Sequence, residues 1–426
     1  MTCIRSLVLL PLSLTALAMT APAAAQAPDA ALAHARALLR STPLIDGHND
    51  LPWEIRRAEG HPRDVAAYDL RRPSPKHTDL ARLAAGQVGA QFWSIYIDGE
   101  MKDSGYARVQ LEQFDIARRM IAGYPDRLEL ALTAADIERS VKRGRLASLL
   151  GMEGGHAIEN SLGVLRAYYA LGARYMTLTH NVTLDWADAA LDSARHQGLT
   201  EFGREVVREM NRLGMLADLS HVSPAVMSDV LDVGEAPVIF SHSAARALVD
   251  HPRNVPDSIL ARLPKNGGVV MVTFVPQFVS TEFKAWEDAA DMERKALRAG
   301  VSDTLEQRRQ MEAWETAHPA PAATLGQVAD HIEHVRKVAG VDHIGIGSDF
   351  DGIDHVPVGL EDVSKFPDLF AELIRRGWSD ADLKKLAGQN LLRALRRAEQ
   401  TAARLQRERQ PSTRTIEELD GVRPAS

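Results

Sequence analysis

A single cysteine stands in the 426 residues, and it is Cys3. Disulfide bracing, thiol nucleophiles and cysteine-ligated zinc are excluded for everything beyond it. Aromatic residues make up only 5% of the chain, and a net charge of −7 is spread without long single-sign blocks. A nucleic-acid partner, which calls for a basic stripe, is therefore excluded. No internal repeat is present, and no glycine-rich phosphate loop of the Walker or dinucleotide kind. From Glu408 onward the sequence is polar and holds no hydrophobic anchor signal.

Apolar residues crowd together at length only near the N-terminus. Arg5 precedes an apolar stretch from Leu7 to Met19, broken by Pro11, Ser13 and Thr15, and Ala23-Ala24-Ala25 then fits a cleavage site before Gln26. The stretch is too short for a stable transmembrane helix. Residues 1–25 are expected to be a signal peptide, placing the mature chain in the periplasm or outside the cell without a transmembrane anchor. Residues 26–408 are expected to form one domain and residues 409–426 a frayed polar tail. With 45% hydrophobic residues, the chain has ample material for a sizeable core.

Eight shorter apolar runs follow, and six end on a residue that binds a metal or moves a proton. Thr42–Ile45 runs into Asp46-Gly47-His48-Asn49-Asp50, Ala147–Met152 into Glu153, and Tyr175–Thr179 into His180. Met215–Ser220 runs into His221, Val238–Ser241 into His242, and Ile344–Ser348 into Asp349. Phe92–Ile97 and Val269–Phe274 lack such an ending. Between runs lie helical spacings at Leu162–Leu171, Phe202–Leu213 and Ala225–Val233, stopped by Gly172, Gly214 and Gly234. This β-α-β rhythm requires parallel pairing. Strands that deliver His, Asp and Glu at their C-terminal ends describe the top of a (β/α)8 TIM barrel. The connection from Phe274 to Ile344 is too long for one crossover; helical segments at Phe283–Arg298 and Leu305–Thr316 predict a helical insertion before the eighth strand, as a lid, a dimer contact or a solvated excursion.

Side chains two apart on a strand point the same way, so His48 and Asp50 reach one point. Alone, H-x-D is a weak signal, and a capping Asp beside a surface His is the commoner reading. Glu153 changes that balance, because a carboxylate at a buried strand end is costly unless paired or metal-bound. His221 and His242 end successive strands, where two satisfied core histidines are improbable. Together these residues predict two ions, one on His48 and Asp50, one on His221 and His242, with Glu153 between. Two ions about 3.5–4 Å apart can hold a bridging hydroxide and polarise a carbonyl. His180 is a strand-end histidine left over, suited to a developing oxyanion. Arg253, in the loop after the His242 strand, suits a substrate carboxylate, although a surface position is commoner for arginine. Asp349 has three candidate tasks: accepting a proton, passing it to a leaving amine, or binding a substrate ammonium. Asp351 competes for them, and alternation favours Asp349.

These motifs resemble the renal (membrane) dipeptidase family, the dizinc peptidases of the amidohydrolase-like barrel superfamily. The likeness runs from Asp46-Gly47-His48-Asn49-Asp50-Leu51-Pro52-Trp53 through Glu153-Gly154-Gly155-His156, Leu178-Thr179-His180 and Asp218-Leu219-Ser220-His221. It continues through Phe240-Ser241-His242-Ser243, Arg253-Asn254-Val255-Pro256-Asp257 and Gly347-Ser348-Asp349-Phe350-Asp351-Gly352. The resemblance implies two zinc ions per subunit on His48, Asp50, His221 and His242, bridged by Glu153. It implies oxyanion stabilisation by His180, carboxylate binding by Arg253 and proton transfer by Asp349. Family members cleave free dipeptides, tolerate a D-residue at the C-terminal position and are often homodimers. The stretch Asn181-Val182-Thr183-Leu184-Asp185 departs from the family pattern; it, the two strands without a chemical ending and the long excursion are where specificity is expected. Two other readings are a dizinc hydrolase of another amide, ester or lactam, and a metal-binding barrel without turnover.

Overall fold

The computed structural model describes residues 29–101 and 105–421, so the expected signal peptide lies outside the described residues. Nine parallel strands form one sheet: β1 (Leu44–Asn49), β2 (Val88–Tyr96), β3 (Leu128–Leu130), β4 (Leu146–Glu153), β5 (Ala173–Thr177), β6 (Leu216–Asp218), β7 (Ile239–Ser243), β8 (Val269–Val272) and β9 (Ile344–Ile346). Their order is β2-β1-β9-β8-β7-β6-β5-β4, and β2 pairs with β4 from Ala90↔Ala147 to Tyr96↔Glu153, which closes an eight-stranded barrel. The eight barrel strands coincide with the eight apolar runs. The short β3 has no counterpart among them. It pairs with Leu146–Ser148 at the start of β4, on the edge that β5 takes over from Leu150 onward.

The strands read as continuous apolar runs because both faces are buried. Phe92, Leu149, Tyr175, Ile239 and Val269 belong to a cluster inside the barrel. Their neighbours Trp93, Leu150, Met176, Phe240 and Val270 face the surrounding helices. Leu391, Leu392 and Leu395 of the closing helix Asn390–Glu408 join the inner cluster, so that helix plugs the lower end of the lumen. Polar strand endings are thereby confined to the upper end.

The helices stop where glycine was expected, though not all by one device. Gly172 (φ 115°) and Gly214 (φ 86°) adopt left-handed backbone after Leu162–Leu171 and Glu201–Leu213. Gly234 ends Pro224–Val233 in an extended conformation. The excursion comprises helices Thr281–Gly300 and Thr304–Ala317 before the crossover helix Leu325–Ala339. It touches the loop after β9, where His355 lies 5.3 Å from Phe283 and 5.6 Å from Trp286, ring to ring. The tail departs from expectation: Ile416–Asp420 is a helix, and the Asp420 carboxylate accepts N–H groups of Glu201 and Phe202. That helix N-terminus needs acceptors, and the tail supplies one. No helix among the described residues is long and apolar enough to cross a membrane.

Candidate binuclear metal site

Two half-sites converge at the upper end of the lumen. In the first, the His48 Nδ1 lies 2.9 Å from the Tyr175 hydroxyl. Tyr175 occupies space vacated by Gly151, where an added β-carbon would come within 2.0 Å of the tyrosine ring. The opposite nitrogen, Nε2, is buried without a hydrogen-bond partner. It stands 3.2 Å from Asp50 Oδ2 and 3.3 Å from Glu153 Oε2. Asp50 Oδ1 is likewise buried and unpartnered. Burial opposes a charge on His48, but Tyr175, Glu153 and Asp50 overcome it and hold the imidazole well above its usual range. Positive charge is what this point demands, and a cation on Nε2 meets that demand.

The second half-site carries a tautomer argument. His221 Nδ1 donates to Asn181 Oδ1 at 3.0 Å, because an amide oxygen only accepts. Ser241 Oγ donates to Asp218 Oδ2 at 2.6 Å and therefore accepts from His242 Nδ1 at 2.8 Å. Both Nε2 atoms thus present lone pairs, and they face each other at 2.9 Å. Glu153 Oε1 adds a third acceptor, 3.1 Å from His221 and 3.6 Å from His242. Burial, the Arg253 charge and neighbouring imidazoles push both histidines well below their usual range, so neither supplies a proton to relieve the crowding. Three acceptors around one point fit a divalent cation with nitrogen and oxygen ligands.

Glu153 joins the halves, with Oε2 toward His48 and Oε1 toward the other two histidines. Ser94 donates to Oε2 at 3.0 Å. Burial raises the Glu153 pKa, but His48, His221 and His180 outweigh it and keep the carboxylate ionised well below its usual range. The ligand atoms fall into overlapping groups within 4.8 Å: His48–Glu153–His242, Glu153–His180–His221 and His48–Asp50–Asp349.

The remaining expected residues surround these ligands. His180 Nε2 is 3.8 Å from Glu153 Oε1, and burial lowers its pKa. Arg253 is 4% exposed, with Nη2 on the His242 carbonyl at 3.3 Å, Nε unpartnered, and its guanidinium 5.0 Å from the Phe278 ring centre. Burial brings it down to about 10. Asp349 has left-handed backbone (φ 69°), and its Oδ1 lies 3.9 Å from His48 Nε2. Burial, with Asp50 and Glu153 adding repulsion, raises its pKa well above the carboxylate range. Asp351 is turned away: its Oδ1 accepts the His77 N–H at 2.8 Å, and its own N–H reaches His77 Nδ1 at 3.0 Å. The geometry therefore places Asp349, rather than Asp351, beside the ligand atoms.

Several supporting residues were not singled out from sequence. Asp218 accepts Thr177 Oγ1 at 2.5 Å, Ser241 Oγ at 2.6 Å and the Ser241 N–H at 2.8 Å, tying β5, β6 and β7 together. Asp46 accepts the N–H and hydroxyl of Ser348, both at 2.7 Å, and Gln91 Nε2 at 3.0 Å, joining β1 to its neighbours. Of the Asn181–Asp185 stretch only Asn181 lines the mouth, and its side chain also orients His221. The mouth is a cavity of about 340 Å³ walled by Trp53, Tyr96, Leu191, Val275, Phe278 and Ile353. The two strands without chemical endings thus contribute walls through Tyr96 and the loop after β8. Helices Thr281–Gly300 and Thr304–Ala317 add no lining residue among those described.

Paired histidine and carboxylate half-sites joined by one glutamate, at the top of a (β/α)8 barrel, define a binuclear zinc hydrolase of the amidohydrolase-like class. The model of the membrane dipeptidase family, peptidase family M19, matches residues 32–409, and the chain belongs to that family. It is 44% identical over 372 residues to dipeptidase 3 of Rattus norvegicus, covering 86% of this chain and 67% of that protein. The chain thus spans about two thirds of that relative's length. Among solved structures it is similar to the probable dipeptidase PvdM from Pseudomonas aeruginosa, at 26% identity and a TM-score of 0.77, over 88% of this chain and 100% of that one. It also shares the fold of a metallopeptidase from Rhodobacter sphaeroides liganded with a phosphinate mimic of L-Ala-D-Ala, at 24% identity and a TM-score of 0.68, over 84% of this chain and 99% of that one.

Proposed function

We propose that the protein is a zinc-dependent dipeptidase acting on free dipeptides, including those with a D-residue at the C-terminal position. One observation carries this reading: Asp349 and the buried Arg253 both line the cavity of about 340 Å³ that opens on the ligand atoms. A short zwitterion matches that pair of charges, and a long peptide exceeds the space. The likeness to dipeptidase 3 and to a barrel that takes a dipeptide mimic supports the same substrate class.

Bound zinc supplies a Lewis acid and an activated water. His48 and Asp50 would hold one ion and His221 and His242 the other, with Glu153 available to both. Arg253 takes the substrate carboxylate through the donors it does not spend on the His242 carbonyl. His180 donates a hydrogen bond to the oxygen that gains charge as the carbonyl becomes tetrahedral. Asp349, with Oδ1 3.9 Å from His48 Nε2, takes the proton released on attack and returns it to the leaving amine.

The test is a library of dipeptides with L and D C-terminal residues, run on metal-quantified protein beside N-acetylated dipeptides, esters and lactams. Hydrolysis confined to free dipeptides is expected. Turnover of esters or lactams with none of dipeptides would overturn the reading. The proposed location is the periplasm or the exterior, on the strength of the N-terminal segment, and reporter fusions to residues 1–30 test export. A homodimer is the proposed assembly, by likeness to the family, and sedimentation tests it.

A further inference from the structure

We infer that Arg57 selects an acidic side chain on the N-terminal residue of the dipeptide, an inference that rests on the dipeptidase reading. Arg57 is the last residue of helix Leu51–Arg57, which starts directly after the ligand Asp50. Its neighbour Arg56 is turned toward helix Tyr106–Gly123, to Glu112 at 2.9 Å. Arg57 instead lines the mouth beside Trp53, Gly352 and Ile353. Its Nε donates to Glu54 Oε1 at 2.8 Å, and Nη2 joins the same oxygen. An ion pair three residues apart on an exposed helix is usually a solvated ornament. This one differs, because Glu54 is 7% exposed while the Arg57 side chain is 49% exposed. A buried acid fixes the direction of the guanidinium and leaves Nη1 without a bond among the described residues. The nearby Asp354 is already engaged with Lys76 at 2.7 Å.

Strand order sets which end of the substrate meets this group. Arg253 follows β7, whereas Asp349 follows β9, which adjoins β1 and the helix bearing Arg57. A dipeptide with its carboxylate on Arg253 and its amino group at Asp349 directs its first side chain to the rim between β9 and β1. The walls there are Trp53 and Ile353, and the charge is that of Arg57. The other carboxylates of the mouth do not intercept it: Asp50 and Glu153 face the metal site, and Asp351 faces His77. Because Arg57 is half-exposed and Glu54 already takes two donors, the gain is modest, about three- to fivefold.

The experiment compares kcat/KM for L-Glu-L-Ala with L-Gln-L-Ala, and for L-Ala-L-Glu with L-Ala-L-Gln, on the zinc-loaded full chain at low and high salt. The wild type is expected to prefer Glu over Gln at the first position by about three- to fivefold at low salt, and less at high salt. Arg57→Gln brings that ratio to about one, Arg57→Glu takes it below one, and Arg57→Lys keeps part of it. Ratios taken within each variant cancel any general loss of folded or loaded enzyme. A first-position ratio that Arg57→Gln leaves unchanged, or a change confined to the second position, overturns the inference and leaves the dipeptidase reading intact. Failure of the wild type to cleave any of these dipeptides overturns the reading itself.

Discussion

The lower and upper halves of the barrel lumen are built on the same strands and satisfied in opposite ways. Below, Phe92, Leu149, Ile239 and Val269 meet one another and the closing helix, and nothing polar is asked of them. Above, His48 Nε2 and Asp50 Oδ1 are buried without partners, and two histidine lone pairs confront each other over Glu153. Folding completes the lower half, whereas the upper half is completed only by cations. Stability and chemistry are therefore separable along a single strand: β4 contributes Leu149 to one and Glu153 to the other.

The most drastic way to break this contrast is at Glu153. Glu153→Gln should lower the zinc content below two per chain and remove dipeptide hydrolysis, and chelation of the wild type should do the same until zinc is restored. Full activity after exhaustive metal removal would contradict the division. Arg253→Met should lower kcat/KM for free dipeptides by about a hundred- to thousandfold, by removing a charged hydrogen-bond donor from a buried site. Its melting temperature should hold, since that arginine spends one long bond on the fold. Phe92→Ala should do the reverse, costing about 3 kcal/mol of stability with zinc affinity retained. Tyr175 sits on the boundary, so Tyr175→Phe should spare the fold yet weaken zinc binding by about ten- to a hundredfold; unchanged affinity in a chelator competition would remove Tyr175 from that boundary.

The smallest effect expected is one of pH. Burial lowers His77, His156 and His331 to about 4 and His251 to about 3. These groups bind protons more readily unfolded, so their share of stability is lost as pH falls below about 6.5. Asp46 and Asp351, raised to about 6 by burial, act oppositely and return some stability on acidification. Four imidazoles outweigh two carboxylates, and a drop from pH 7 to 6 should cost on the order of 1 kcal/mol. Stability that is level or rising on acidification would reverse that balance.

Much of the upper half was legible in the sequence, because a strand end is a local event. An apolar run that stops on His221 or Glu153 announces both the strand and the direction of the side chain. Supporting contacts were not legible, because they depend on which distant strand comes alongside. Tyr175 reads as one more apolar residue until Gly151 makes room for it beside His48. Asp218 and Asp46 lie within quoted motifs, yet their work is to hold neighbouring strands. Asn181 belongs to a stretch expected to set specificity; it does line the mouth, but its oxygen serves His221. Three-residue β3 is too short for a periodic signal. In the tail, Ile416 and Leu419 stand among polar residues, and only the tertiary structure reveals that they pack on the core.

The plug formed by Leu391, Leu392 and Leu395 bears on traffic as much as on packing. With the floor of the barrel filled, the mouth is both entrance and exit. A dipeptidase working there turns one guest into two, each carrying its own carboxylate and ammonium. Both must back out past Trp53 and Arg57 before the next substrate can settle. If Arg253 takes the substrate carboxylate as proposed, a departing amino acid held there occupies the place its successor needs, and accumulated product should inhibit competitively.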